Sequence, residues 1–444
     1  MPVDHKKLAE LGITVPEILL PAPSVDPVAW SVIACDQHTS DREYWQRVRT
    51  SCGDNPSTLD LVFPEVYLED DDAPRRISEI HKAMSDYLDK GYLRSHGRGW
   101  MYVQRRTEAS GLRQGLVLAG DLEAYDFSEG STSLIRATEG TILDRLPPRV
   151  KVRRDAPLEL PHIMILIDDR EKKIIEGLEA ISGTLEQAYD LELMEGGGRL
   201  TGFWIDRSEI INTIAGQLSE LADSKTSLAR YGSEDPLLFA MGDGNHSLAT
   251  AKSVWEGIKK EHAQTGADPA EIENHPARYA LAEVVNIYSP GLRFEPIHRV
   301  IFDAGLDGLI ASLGDGEPKP LEGEAAAREY LASDANGAVF FHRDTWYSLA
   351  GDPDELAPAR IDRAFNNLTS NPCGNAAKID FIHGWEHTRD LAAGRNDRIA
   401  VFFNVIAREE LFGYVIRHGA LPRKAFSMGD AEEKRYYFEA RRVR

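Results

Sequence analysis

The chain has 444 residues, 42% of them hydrophobic and 28% charged, a globular balance that excludes a wholly disordered or low-complexity protein. Its 51 Lys and Arg stand against 72 Asp and Glu, a formal charge of −21 that argues against nucleic acid and anionic lipid as partners. A small phosphorylated ligand stays compatible, because a local cluster of cations reverses the potential where it binds.

No apolar run approaches the roughly 20 residues of a membrane span. The first ten residues carry charges throughout and lack the apolar core of a signal peptide. Cys35, Cys52 and Cys373 show no CxxC spacing and read as reduced thiols. The expectation is a cytoplasmic protein with no membrane partner.

Along the chain there is no internal repeat. "WSVIAC" (30–35) predicts a strand, and "SDREYWQRVRTSC" (40–52) a helix capped by Ser40 with Glu43 three residues on. "RISEIHKAMSDYLDKGYL" places Ile77, Ile80, Met84 and Leu88 at helical spacing and ends at Gly91. "GWMYVQRRT" and "RQGLVLAGDLEAYD" predict an antiparallel pair. A polar, arginine-rich stretch broken by Pro147-Pro148 leads into "HIMILIDD" (162–169), an apolar strand. A helical pattern, a glycine-turned hairpin over 190–209 and a helix over 209–224 follow. Residues 279–302 read as strand, Pro-Gly turn, strand; "RIAVFFNVI" predicts a buried strand, and "REELFGYVIRHG" a helix stopped by Gly419.

These elements predict an α/β (α+β) fold whose mixed sheet has antiparallel elements, rather than a doubly wound parallel sheet. Three sublobes are expected over 1–170, 171–302 and 303–444, the last ending in a Lys-Ser tail.

The stretch "LLFAMGDGNHSLATAK" (237–252) carries the densest chemistry. An apolar strand stops at Asp243-Gly244-Asn245-His246-Ser247, and a helix begins at once with Leu248, Ala251 and Trp255 on its buried face. Asn245 or Ser247 suits the N-cap, the helix N-terminus offers N–H groups and partial positive charge, and Gly244 admits a ligand close to the backbone. His246 is a candidate phosphate donor or proton shuttle, and Asp243 a candidate base, histidine orienter or magnesium ligand. The plain alternative is a turn followed by a capped helix.

A second cluster, Arg136, Glu139, Thr141, Asp144 and Arg145, suits a phosphate clamp beside a carboxylate base, or else a solvated charged face. Asp36 and His38 follow a predicted strand end, the place where α/β sites form. Arg423, Lys424 and Ser427 offer another anion contact. No Walker A loop, GxGxxG turn, HExxH or kinase signature is present.

In this order, "VIACDQHTSDREYW", "STLDLVFPE", "RATEGTILDR", "FAMGDGNHSLATAK" and "LPRKAFSMG" resemble the segments of the domain of unknown function 1015 family over nearly the whole chain. The family's Asp-Gly-His-His-Arg turn is in turn similar to the phosphate-binding turn of the ParB/sulfiredoxin-like group, some of whose members phosphorylate free serine. The resemblance implies a ParB/sulfiredoxin-like core with additional sublobes, in which Asp243, Asn245 and His246 hold a donor's phosphates. This sequence departs from the pattern: Asn245 stands where the first histidine usually is, and Ser247 where the arginine is. Arg136 and Arg145 are candidates to restore the missing charge.

The expected function is phosphotransfer to a small hydroxyl compound, free L-serine first, from ATP, ADP or pyrophosphate, with Mg²⁺ as the accompanying ion. Asp243, His246, Glu139, Asp144 and Asp36 are the candidates for catalysis. Two alternatives stay open: a phosphatase acting on phosphoserine-like substrates, and a nucleotide-binding regulatory protein without turnover. The sequence leaves the oligomeric state open, a homodimer being one option.

Overall fold

The structure is a computed structural model that describes residues 1–141, 144, 146–265, 268–314, 316–352, 355–370, 376–429 and 433–444. Two compact units divide the chain: Met1–Leu292 with Phe412–Ala420 and Gly429–Arg444, and Arg293–Leu411 with Leu421–Met428.

A ten-stranded mixed sheet organises the first unit. Its strands lie in the order Glu186–Glu192, Arg199–Ile205, Trp100–Thr107, Gly111–Asp121, Tyr279–Asn286, Met164–Ile167, Phe239–Asp243, Ile135–Arg136 and Tyr125–Asp126, with Ile13–Thr14 added against Gly111–Asp121. Pairing is antiparallel except where Tyr279–Asn286 meets Met164–Ile167 and where Ile135–Arg136 meets its two neighbours. The expected mixed sheet with antiparallel elements is therefore present.

Both faces of this sheet are covered, and the alternation of side chains along each strand shows how. Trp100, Tyr102, Leu116 and Leu118 enter one core with Ile165, Phe239 and Met241. Met101, Val103, Val117 and Ala119 enter the other with Trp30, Trp45 and Tyr437. Strands buried on both sides need continuous apolar runs, which is why "LVLA" and "MILI" lack polar interruptions.

The second unit has a seven-stranded antiparallel sheet among the described residues. Ile301, Phe340 and Val401 face one core, and Val300, Phe341 and Phe402 the other.

Several local expectations are corrected. Residues 30–35 form no strand; Pro27–Trp30 is a helical turn, and Ile33 makes a single bridge to Tyr436. The helix over Arg42–Cys52 is capped by Asp41, whose carboxylate accepts from the Tyr44 N–H at 2.9 Å, and not by Ser40. A shorter reach from Asp41 to the open N–H groups wins over the capping-box pattern. "STLDLVFPE" holds a 3-10 turn at Thr58–Asp60, stapled by the Ser57 hydroxyl, and its last residue opens another at Glu65–Tyr67. The helix at Leu146–Arg154 begins with Pro147-Pro148 in its first turn, where a missing N–H is harmless.

No helix among the described residues is long and apolar enough to cross a membrane.

Candidate functional site

The Phe239–Asp243 strand ends in a β-bulge: Met241 pairs with Ile165, and Asp243 with Met164, so Gly242 is the extra residue. A bulge at a strand end turns the following side chain out of the pleat. Gly244 comes next with φ +78°, a left-handed conformation that favours glycine. A Cβ at that position would stand 3.2 Å from the Ile163 Cα and 3.5 Å from the His162 Cδ2. The chain then enters the Asn245–Thr265 helix directly, held on the core by Leu248, Ala251 and Trp255.

Three remote segments converge on this turn. His162, at the head of the Met164–Ile167 strand, places its Nε2 2.9 Å from the Ser247 hydroxyl and 3.3 Å from the Asp36 carboxylate. Its Nδ1 lies 2.8 Å from the Tyr437 hydroxyl, which also accepts the Cys35 N–H at 3.0 Å. Lys434 brings its ammonium to 3.2 Å from Asp243 Oδ2, while Asp243 Oδ1 accepts the Gly244 N–H at 2.9 Å. Gln37 donates to the other oxygen of Asp36 at 3.0 Å.

Electrostatics follow from this packing. Burial opposes the charged forms of both Asp36 and His162, but their mutual attraction overcomes it. Asp36 is held well below the usual carboxylate range, and His162 is raised above that of an ordinary imidazole. Burial pushes the Cys35 thiol far up, helped by Asp36 and Glu65, so this cysteine is no thiolate nucleophile. Nor do Ser247, His162 and Asp36 make a serine-hydrolase relay. Serine and aspartate share the same ring nitrogen, whereas the relay needs one on each.

The arrangement brings together Asp36, Asp243, Gly244, Asn245, His246 and Ser247. Glu139 follows Thr138, whose hydroxyl donates to the Met241 carbonyl at 2.6 Å just beyond the parallel pairing of Arg136 with Ala240. Asn245 Oδ1 is buried with no hydrogen-bond partner among the described residues. The His246 carbonyl accepts the Thr250 hydroxyl at 2.6 Å, and the histidine side chain is half-buried.

Arg136 is buried and gives its guanidinium to the carbonyls of Ser133 at 2.7 Å and Pro236 at 3.0 Å, which makes it a clip for the loop before the Phe239 strand. Asp144 is exposed, Thr141 is half-buried, and Arg145 lies outside the described residues. His38 takes a positive φ of 49° and stacks on Tyr44 at 3.6 Å between ring centres. Arg423, Lys424 and Ser427 belong to the second unit. There the carbonyls of Arg423 and Lys424 accept from the buried Arg299, and both cationic side chains lie over Phe381.

His162, Lys434 and Tyr437 were not singled out by the sequence. His162 offered one signal, a polar residue after Pro161 at the head of an apolar run. Lys434 and Tyr437 offered none, since they sit far along the chain from Asp243 and His162.

A family model described as "Protein of unknown function (DUF1015)" matches residues 18–364. The chain belongs to this family. Among solved structures, this DUF1015 member is similar to a free serine kinase in complex with AMP, at 8% identity and a TM-score of 0.39, over 75% of this chain and 93% of that one. It is also similar to a conserved hypothetical protein from Pyrococcus furiosus, at 9% identity and a TM-score of 0.35, over 70% and 90%. A third is SbnI with a C-terminal truncation from Staphylococcus aureus, at 8% and 0.35, over 70% and 82%. No curated protein matches the chain.

Proposed function

We propose that the protein is a phosphotransferase that moves a phosphoryl group from a phosphoanhydride donor (ATP, ADP or pyrophosphate) to the hydroxyl of a small molecule. The observation that carries this reading is the meeting of the Asn245 helix N-terminus with Lys434 and the raised imidazole of His162. N–H groups, an ammonium and an imidazolium are what a transferring phosphoryl needs around its oxygens. Asn245 Oδ1, a buried acceptor without a partner among the described residues, adds a place for a donor group of the ligand.

In the transfer, the acceptor oxygen attacks phosphorus, the bond to the donor's bridging oxygen breaks, and the hydroxyl proton passes to a carboxylate. Asp36, kept ionised far below its usual range, is suited to hold His162 charged and poorly suited to take a proton. We assign proton acceptance to Glu139 and placement of the phosphates to Asp243, Gly244, Asn245, His246 and Ser247. Among the described residues no group of three His, Cys, Asp or Glu forms a metal cage. Mg²⁺ carried in with phosphates needs only one or two protein carboxylates, which Asp243 and Glu139 would supply; the ion neutralises phosphate charge when bound.

Phosphorus NMR of the protein with free L-serine, Mg²⁺ and each donor tests the reading. Phosphoserine is expected, and Glu139→Gln is expected to slow its appearance by about 10²–10⁴-fold. Orthophosphate released from added phosphoserine, with no transfer from the donors to serine, would replace the transferase reading with a phosphatase. A second reading, ligand sensing without turnover, is favoured by the pairing of Lys434 with Asp243 and of His162 with Asp36. Line broadening of the donor without product would support it.

A further inference from the structure

The Ser247 hydroxyl stands 2.9 Å from His162 Nε2, a nucleophile beside a base that transfer to a small molecule does not use. The other side of the ring decides what the pair can do. His162 Nδ1 lies 2.8 Å from the Tyr437 hydroxyl, which accepts the Cys35 N–H at 3.0 Å and donates its own proton to the Cys35 side chain. The hydroxyl oxygen has a second lone pair to offer, so Nδ1 carries a proton and donates it to Tyr437. In the neutral ring this leaves the lone pair on Nε2, toward Ser247. A nucleophile, a base and a third group that orients the base are then all in place, with Tyr437 as the positioning residue. Asp36, 3.3 Å from the same Nε2, strengthens that nitrogen as a proton acceptor and holds the imidazolium once it forms.

The surroundings suit a phosphate on this oxygen. Ser247 is half-buried in the first turn of the Asn245–Thr265 helix. The Leu248 N–H is bonded back to the Gly244 carbonyl, so Ser247 lies in the turn whose N–H groups precede the helical ladder. A phosphate added there, beside cations, is favoured by the helix dipole and by charge-assisted hydrogen bonds. A cavity of about 140 Å³ lined by Ser247, His162 and Tyr437 opens beside the hydroxyl. A water takes about 30 Å³ of liquid, so a phosphoryl group fits. The charged walls of this cavity are two ion pairs, Arg149 with Glu65 and Arg153 with Glu159, which add no net charge. The compensating charge comes from His162 and from Lys434, which stands at Asp243 of the same turn.

We propose that Ser247 is itself a phosphoryl acceptor, so that the protein phosphorylates its own turn when no small hydroxyl compound is bound. The inference rests on the phosphotransferase reading for its donor. The Ser247 oxygen attacks the terminal phosphorus, the bond from phosphorus to the donor's bridging oxygen breaks, and the electron pair leaves with that oxygen. The hydroxyl proton passes to His162 Nε2 and is held against Asp36. One histidine thereby separates two acceptors. As an imidazolium it faces a phosphoryl moving to a small molecule; as the neutral ring it activates Ser247.

Incubation of the full chain with Mg²⁺ and ATP, ADP or pyrophosphate, without any small hydroxyl compound, tests this by intact mass and peptide mapping. One phosphoryl group per chain is expected from at least one donor, on Ser247. Ser247→Ala is expected to remove it, and His162→Gln to slow it by about 10²–10⁴-fold. Tyr437→Phe, which releases the ring's tautomer, is expected to slow it by at least about tenfold. Nitrogen NMR of the histidines reads that tautomer independently of turnover: neutral His162 is expected to carry its proton on Nδ1, and Tyr437→Phe to give a mixture. An unmodified chain with all three donors, phosphate on another residue, phosphate retained in Ser247→Ala, or a neutral His162 protonated on Nε2 overturns the proposal. The two readings fail separately. Free phosphoserine made when L-serine is present, with no adduct in its absence, keeps the transferase and sinks self-phosphorylation; a modified Ser247 with no small-molecule product does the reverse.

Discussion

His162 touches Asp36, Ser247 and Tyr437 at once, and nothing in its local sequence announces this. The pH dependence of stability is its clearest signature. Because the folded pKa of His162 is raised, its contribution is complete below the ordinary imidazole value near 6.5 and fades as pH rises through the folded value. The lowered Asp36 contributes above the ordinary carboxylate value near 4 and fails only as pH falls through its own depressed value. The pair therefore works best between those two values. Asp36→Asn is expected to destabilise the protein by about 3 kcal/mol at pH 5.5–6, the scale for breaking a buried pair, and by clearly less at pH 9. Urea unfolding of both proteins at the two pH values measures it; a penalty that stays constant would refute the coupling. In contrast, the Asp243–Ser247 turn was legible, because strand, glycine and helix follow within a few residues and local chemistry decides such a turn.

At the scale of elements, the C-terminal segment decides the site. Arg435 pairs with Glu283 and Glu439 in the interior and donates to the Pro161 carbonyl at 3.0 Å, the residue before His162. Arg113 reaches Glu283 at 3.6 Å, and Arg105 donates to the Gly197 carbonyl at 3.0 Å and to the Glu433 carbonyl at 3.1 Å. Gly115 leaves room for this network, since a Cβ there would meet Glu283 Oε1 at 2.4 Å. Lys434 and Tyr437 are fixed on either side of Arg435 and so arrive at Asp243 and His162. Arg435→Met strips the guanidinium from two buried carboxylates, leaving Glu283 to Arg113 and Glu439 to the Tyr189 hydroxyl. It is expected to cost about 3–5 kcal/mol and to weaken donor binding with it. Thermal unfolding and a donor titration check the two effects, and loss of neither would mean the segment does not organise the site. The tail's run of Glu, Lys and Arg shows no apolar period; what buries it is matched charge from distant strands.

For the whole molecule the charge of −21 sets long-range behaviour. The protein is expected to pass through a DNA column unretained at about 0.15 M salt, where the Debye length is about 8 Å, while a donor nucleotide binds the local cations. Retention on the column would show a basic face that the composition conceals. Composition, apolar runs and turn residues determined that the chain is globular, that its sheet is mixed, and that residues 243–247 turn from strand into helix, because each depends on neighbours within about a dozen residues. Only tertiary structure decided that Asp36, His162, Lys434 and Tyr437 meet at that turn and that Arg136 serves a loop instead. Contacts between segments hundreds of residues apart are chosen by charge pairing and sheet order, and neither leaves a period in the sequence.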